Sequence, residues 1–306
     1  EKFSEKVESG LVIRHDPAEG KQLRPGSVVD VVVSKGRRPL NVGDWVGKVN
    51  DIDEELLGVE EKALHTGPDL RRRQVAAGYT LEELEQILAP MAEDGKETLA
   101  SMGDDTPSAV LSNEYRPLSH FFRQNFSQVT NPPIDSLREF RVMSLKTRFG
   151  NLKNVLDESS AQTEILVLDS PFLANAQFDQ LMTEFNANSV TIDCTFEPGG
   201  NNLSENLRRI RDEAEDAVRS GAGHIVLTDQ FSDATRVAMP MILATSAVHS
   251  QLTRKGLRTF TSLNVRSAEC VDPHYFAVLI GAGATVVNAY LAEDSLADRI
   301  NRGLLD

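Results

Sequence analysis

The chain is expected to be an α/β protein in which repeated βα units build a mainly parallel, partial barrel-like sheet, preceded by a small β-rich fragment. Three observations lead there. From Glu164 onward, short β-branched apolar segments alternate with longer helical ones, and a parallel neighbour requires a long crossover, so the alternation favours parallel strands covered by helices. Between Leu203 and Ser220, Leu207, Ile210, Ala214 and Val218 recur at spacings of three and four, with acids and arginines on the other face, which is the period of an amphipathic helix. The first forty residues have no such period and carry short strands set between turn residues instead.

Taken in order, Gly10-Leu-Val-Ile-Arg14 is a short strand, Asp16-Pro-Ala-Glu-Gly20 a turn, and Ser27-Val-Val-Asp-Val-Val-Val-Ser34 a β-branched strand introduced by Pro25-Gly26. The second unit that opens at Pro39-Leu-Asn-Val-Gly-Asp-Trp-Val-Gly47 breaks off. Residues 48–69 are acidic without a sustained period and read as a linker. At Thr80 a helix begins, with Glu83 three residues on and Leu81, Leu84 and Leu88 at helical spacing. Strands are expected over 165–168, 189–194, 224–228, 258–265 and 285–290. Helices are expected over 174–185, 203–220, 238–255 and 273–281, and Gly221 closes the second of them.

Composition narrows the function classes. The 306 residues are 40% hydrophobic and 25% charged, as in a soluble globular protein rather than a disordered one. A net charge of −14 argues against nucleic acid as a partner, because affinity for phosphates rests on Lys and Arg. No apolar run approaches the about 20 residues that span a bilayer, so no membrane is expected. The start at Glu1 has neither initiator Met nor signal-peptide character, suggesting a piece of a longer protein. Two cysteines, Cys194 and Cys270, fit buried thiols in a reducing cytoplasm better than a disulfide framework.

Several constellations invite chemistry and read more plainly as structure. Gly281-Ala-Gly283 has a helix before it and a strand after it, the reverse of a dinucleotide fingerprint, and Val286 stands where the third glycine belongs. Asp104-Asp105, with Glu93, Asp94 and Glu97 nearby, has no cation-loop spacing and suits an Asx-turn or a cap. The six histidines form no i, i+4 pair, and His249 and His274 read as satisfied structural groups. Cys270 with His274 is a weak nucleophile-base pair, since such pairs are assembled in space. Arg71-Arg-Arg suits a solvated helix end, and Leu118, Phe121, Phe122 and Phe126 suit the buried face of an amphipathic helix rather than a base-stacking surface. Thr130-Asn-Pro-Pro-Ile-Asp135 is a stiff extended segment, because each proline restricts the residue before it.

Met102-Gly-Asp-Asp-Thr-Pro107, Phe121 to Ser136, Val265-Arg-Ser-Ala-Glu269, Asp272-Pro-His-Tyr-Phe-Ala277 and Leu279 to Tyr290 together resemble the central domain of glutamate synthase large subunits, over about residues 70–306. The strand, Asp-Pro-x-x-Gly turn, x-Pro-Gly-Ser and Val-rich strand of residues 1–47 are similar to a truncated PASTA module, whose first helix is missing. Such modules imply recognition of muropeptides or β-lactams outside the cell. The glutamate synthase resemblance implies a parent enzyme that makes glutamate from glutamine and 2-oxoglutarate, with FMN and an iron-sulfur cluster in another domain and none in this chain. It implies as partners the glutaminase and FMN domains, and a small NADPH-oxidising subunit or ferredoxin. It also implies that Met102, Gly103, Asp104, Asp105, Thr106, Pro107, Thr130, Asn131, Pro132, Pro133 and Asp135 are interdomain positions lining an ammonia path. No residue is expected to be a catalyst, cofactor ligand or metal ligand. A free-standing α/β flavin-binding enzyme and an extracytoplasmic PASTA-type binding protein are the alternatives. The two resemblances imply different compartments, which leaves open a fused or rearranged coding sequence.

Overall fold

The computed structural model describes residues 12–16 and 30–33 by their backbone, and residues 63–98, 111, 116–123, 129, 133–156 and 165–305. The chain divides into two compact units, Glu1–Asn50 and Asp51–Asp306. In the first, β1 (Val12–Asp16) pairs antiparallel with β2 (Asp30–Val33), joining Val12 to Val33 and Asp16 to Asp30.

The second unit opens with α1 (Gly67–Ala76), whose first turn holds Pro68, a position where the missing N–H costs nothing. The expected cap at Thr80 is present. Thr80 N donates to Glu83 Oε2 at 2.8 Å, its hydroxyl donates to the same oxygen, and Glu83 N donates to Thr80 Oγ1 at 3.3 Å. The cap leads into a π-helical turn, Glu83–Leu88, which continues as α2 (Ala89–Asp94). The wider turn rotates the apolar stripe, so Leu84 and Leu88 are buried while Leu81, expected beside them, is 62% exposed. Thr80→Ala is expected to destabilise this end of the unit by about 1 kcal/mol, seen as faster amide exchange at Glu83 and Leu84.

Residues Leu118–Phe121 form one 3-10 turn rather than the expected amphipathic helix. Leu118 packs on the core, but Phe121 and Phe122 are half-exposed, because a single turn cannot direct three large residues to one side. Phe126 lies outside the described residues. The short α3 (Ser136–Val142) follows.

Next, β3 (Thr147–Phe149) and β4 (Leu166–Leu168) pair antiparallel. The 165–168 segment, expected as a member of the parallel sheet, is thus taken by a partner that precedes it in the chain. Shortly after β4, Phe172 makes a parallel bridge to Val287. From there α4 (Asn175–Glu184) leads to β5 (Ser189–Asp193), and after β6 (Thr195–Phe196) come α5 (Asn202–Arg219) and β7 (His224–Thr228). Then come β8 (Val237–Ala238), α6 (Met241–Arg254), β9 (Ser262–Arg266), α7 (Pro273–Gly281), β10 (Val286–Asn288) and α8 (Tyr290–Asn301).

Strands β5, β7, β9 and β10 lie side by side, all parallel. Each βα step moves one place in the same direction, the order in which parallel barrels are wound, and the Phe172 bridge adds a partial fifth rung beside β10. Ile192, Ile225, Leu227, Leu263, Val265 and Val287 turn to one face, where they pack with Ile210, Ala214 and Val218 of α5, Val248 of α6, Leu279 of α7 and Leu291 of α8. All five residues of β7 and of β9 are buried, as in a parallel sheet covered on both sides. The polar face of α5 carries the i, i+4 pairs Arg209–Glu213 and Arg219–Glu215, and Glu215 also accepts from Gln251 Nε2 of α6 at 2.7 Å.

Candidate functional site

Of the residues expected to line an interdomain path, Met102, Gly103, Asp104, Asp105, Thr106, Pro107, Thr130, Asn131 and Pro132 lie outside the described residues. Pro133 and Asp135 are exposed and non-helical, and Asp135 is the N-cap of α3. Its Oδ1 accepts from Leu137 N at 3.1 Å and Arg138 N at 3.0 Å. The proline segment therefore ends in a capped helix. That helix has no buried residue, and it presents Leu137 at 85% and Phe140 at 82% exposure. Sequence reasoning passed over α3, although Asp135 directly before Ser136-Leu-Arg-Glu is an N-cap signal.

The carboxyl edge of the parallel sheet is where ligands bind in many βα folds. Here Asp229 follows β7, Glu269 and Cys270 follow β9, and Tyr290 follows β10. Asp229 is 1% exposed. Ala268 N donates to Asp229 Oδ2 at 2.8 Å, and the Tyr290 hydroxyl also bonds this carboxyl. Burial, opposed by the Ala268 amide, pushes the Asp229 pKa up to about 7. Tyr275 O–H donates to Glu269 Oε2 at 2.6 Å, an oxygen that also accepts from Met241 N at 2.9 Å at the start of α6. Tyr79 O–H donates to Ala268 O at 2.9 Å. Burial first, and then neighbouring carboxylates, hold the phenols of Tyr275 and Tyr290 well above the usual range. These bonds stitch the loop after β9 to α6, α7 and the residues ahead of the π turn.

A second polar knot ties the start of the unit to its end. Asp294 of α8 accepts from Leu64 N at 2.8 Å and His65 N at 3.0 Å, and His65 Nδ1–H donates to it at 2.9 Å. Gln74 Nε2 donates to Ser295 Oγ at 2.9 Å. The residues just before α1 are therefore docked on α8.

The two thiols do not make nucleophiles. Burial raises the pKa of both Cys194 and Cys270, so the reactive thiolate is disfavoured. His274 is not directed at Cys270. Its Nε2–H donates to Ser119 O at 3.0 Å. His249 Nδ1 accepts from Arg258 Nε at 3.1 Å. Both histidines are satisfied structural groups, as expected. Gly281 closes α7 and leads through Gly283 to β10, which is the helix-to-strand reading of that glycine pair. Among the described residues no group of three or more His, Cys, Asp or Glu is placed to hold a metal ion, and no helix is long and apolar enough to cross a membrane.

Residues 72–306 match the family described as the glutamate synthase central domain. The chain belongs to that family. Residues 1–35 match the PASTA domain. The chain is 53% identical over 300 residues to the glutamate synthase [NADPH] large chain of Azospirillum brasilense, covering 92% of this chain and 20% of the relative. It is 39% identical over 261 residues to the corresponding large chain of Bacillus subtilis, covering 83% of this chain and 17% of that one. To the ferredoxin-dependent glutamate synthase of Spinacia oleracea it is 35% identical over 288 residues, covering 89% of this chain and 18% of the relative. The chain thus spans about a fifth of the length of these relatives. The Azospirillum alignment also reaches into the residues before Arg72.

Proposed function

We propose that this central domain joins the glutaminase and FMN domains of a glutamate synthase large subunit and helps line the path by which ammonia passes between them. The parent enzyme makes L-glutamate from L-glutamine and 2-oxoglutarate. Its cofactors, FMN and an iron-sulfur cluster, belong to the neighbouring flavin domain, and its electrons come from a small NADPH-oxidising subunit or from ferredoxin. The relatives carry NADPH or ferredoxin in their names. A reducing compartment such as the cytoplasm suits the two free thiols. We take residues 1–47 as the PASTA-like segment, 48–69 as the acidic linker, with 63–69 docked on the rest of the second unit, and 70–306 as the central domain.

The observation that carries this reading is the end of the proline segment. Pro133 to Asp135 hands the chain to a capped helix whose apolar side chains face outward, as suits a surface meant to meet another part of the same large polypeptide. We assign Pro133 to Asp135 to the interdomain surface on that basis, and Met102 to Pro107 and Thr130 to Pro132 to it by their resemblance to the family. By its sequence, with two consecutive prolines, Thr130-Asn-Pro-Pro is polar and conformationally restricted, which suits guiding a small neutral molecule. The stitched carboxyl edge of the sheet supports a scaffold role, because Asp229 and Tyr275 spend their polar atoms on loop contacts.

A flavin titration of the purified chain, by calorimetry and visible absorption, tests this reading. No saturable FMN binding is expected. Saturable binding, or a flavin band in the protein as isolated, would instead favour a free-standing flavoprotein.

A further inference from the structure

The sheet face turned away from α5 to α8 carries polar side chains where an ordinary barrel interior is apolar. Strand parity puts Asn264 and Arg266 of β9 on that face, since Leu263 and Val265 pack on the helix side. Pairing register sets Arg266 beside Thr228 of β7 and Asn288 of β10, and Asn264 beside Val226 and Val286. Asn264 and Asn288 are fully buried, and Arg266 is 8% exposed.

Their hydrogen bonding is incomplete in a specific way. Arg266 Nη1 donates to Asp179 Oδ1 of α4 at 2.6 Å, and the Phe178 ring lies 5.0 Å from the guanidinium carbon. Its remaining edge, Nε with Nη2, has no partner among the described residues, nor has either Nδ2 or Oδ1 of Asn264, nor Oδ1 of Asn288. Asn288 Nδ2 is held by Leu173 O, Asn175 Oδ1 and Glu293 Oε1, which fixes its oxygen away from them. Buried polar atoms are almost always partnered, and five such atoms clustered on two neighbouring strands call for a shared guest.

We propose that this face of β9 and β10 binds a small carboxylate, seated on the Nε and Nη2 edge of Arg266 and on Asn264 Nδ2. The two parallel N–H groups of that edge match the two oxygens of a carboxylate. Asp179 and Phe178 already fix the plane of the guanidinium, so little ordering is needed on binding. One cation shared with the Asp179 carboxylate suits a monoanion and does not compensate a phosphate dianion. The oxygens of Asn264 and Asn288 are acceptors, which would suit an ammonium group beside the carboxylate. This inference does not depend on the ammonia path.

The test is thermal unfolding and calorimetry of the full chain titrated with sodium acetate, with glycine, and with sodium chloride at matched ionic strength. Acetate is expected to give a saturable rise in Tm that chloride does not. Glycine exceeding acetate would identify a zwitterion as the better ligand, and acetate exceeding glycine a simple anion. Arg266→Lys keeps the charge but loses the fork, and should weaken binding by at least about tenfold, which is the 1.4 kcal/mol of one good hydrogen bond. Asn264→Leu leaves the Arg266–Asp179 pair intact and should also weaken it, so the test survives a poorly folding Arg266 variant. Equal responses to acetate and chloride, or an acetate response unchanged in Asn264→Leu, would overturn the proposal in favour of buried water alone.

Discussion

Replacing Gly283 with alanine is expected to destabilise the central domain by about 2–5 kcal/mol, combining backbone strain with overpacking. Gly283 has φ +116°, a conformation that side chains disfavour, and an added Cβ would fall 2.3 Å from ring atoms of His249. The ring cannot simply swing away. His249 Nδ1 accepts from Arg258 Nε, while the same guanidinium donates through Nη2 to Gly283 O at 2.7 Å and through Nη1 to Thr261 O at 2.8 Å. Arg258 is thus the clamp that sets the C-terminal turns of α6 against the entry to β10. Urea unfolding of Gly283→Ala, and of Gly283→Ala with His249→Ala, separates the two costs. The double variant should recover the overpacking part and retain the strain of the positive φ. Wild-type stability in the single variant would mean that α6 and the residues before β10 are not packed this closely.

Asp229→Asn is expected to change how stability depends on pH. The folded pKa of Asp229 is raised to about 7 from its ordinary value of 3.8. Its contribution is fully present below the unfolded value and is lost as pH rises toward 7. His224 works in the opposite sense. Burial lowers its pKa to about 4 from 6.5, so the neutral ring is favoured, and stability is lost as pH falls from about 6.5 toward 4. Its ring lies between Phe149 and Phe185, with centroids 4.5 and 4.7 Å away. Between about pH 4 and 6.5 the two slopes oppose each other, and the wild-type profile is expected to be nearly flat there. Removing the titrating carboxyl leaves the His224 slope alone. Stability of Asp229→Asn should then rise by on the order of 3 kcal/mol over that range, and should exceed wild type at about pH 8. The asparagine oxygen can still accept from Ala268 N, so packing is preserved. Urea midpoints at about pH 4, 6.5 and 8 measure this. Parallel wild-type and variant profiles would contradict the buried carboxyl.

The sequence carried the helical part of this fold more completely than its strand pairing. Helix α7 runs from Pro273 to Gly281 as the residues said it should, because a proline in the first turn and the positive-φ Gly283 just past the C-cap Ala282 act locally. The stripe of Ile210, Ala214 and Val218 on α5 is likewise local. Strand partners are not. The three residues Leu166–Leu168 contain no information about whether they join a parallel sheet, and the choice falls to β3, a strand that was not foreseen. Nor could the residues mark Asp229 as special. Its burial is made by Ala268 and Tyr290, far away in sequence, and Asp-Gln after a strand looks like any turn. The expected channel segments were legible only by resemblance, since Thr130 to Asp135 has no chemistry of its own beyond stiffness and a cap.

If the segments before α3 couple two sites in a larger enzyme, blocking them should separate the two halves of its reaction. The measurement compares glutamate formation driven by glutamine with that driven by free ammonia, in a full-length glutamate synthase carrying this central domain and Thr130→Trp. The predicted result is a loss on the order of tenfold in the glutamine-driven rate alone, with ammonia-driven synthesis and glutamine hydrolysis retained. Equal losses in all three activities, or no loss in any, would contradict a path that runs along Thr130 to Asp135.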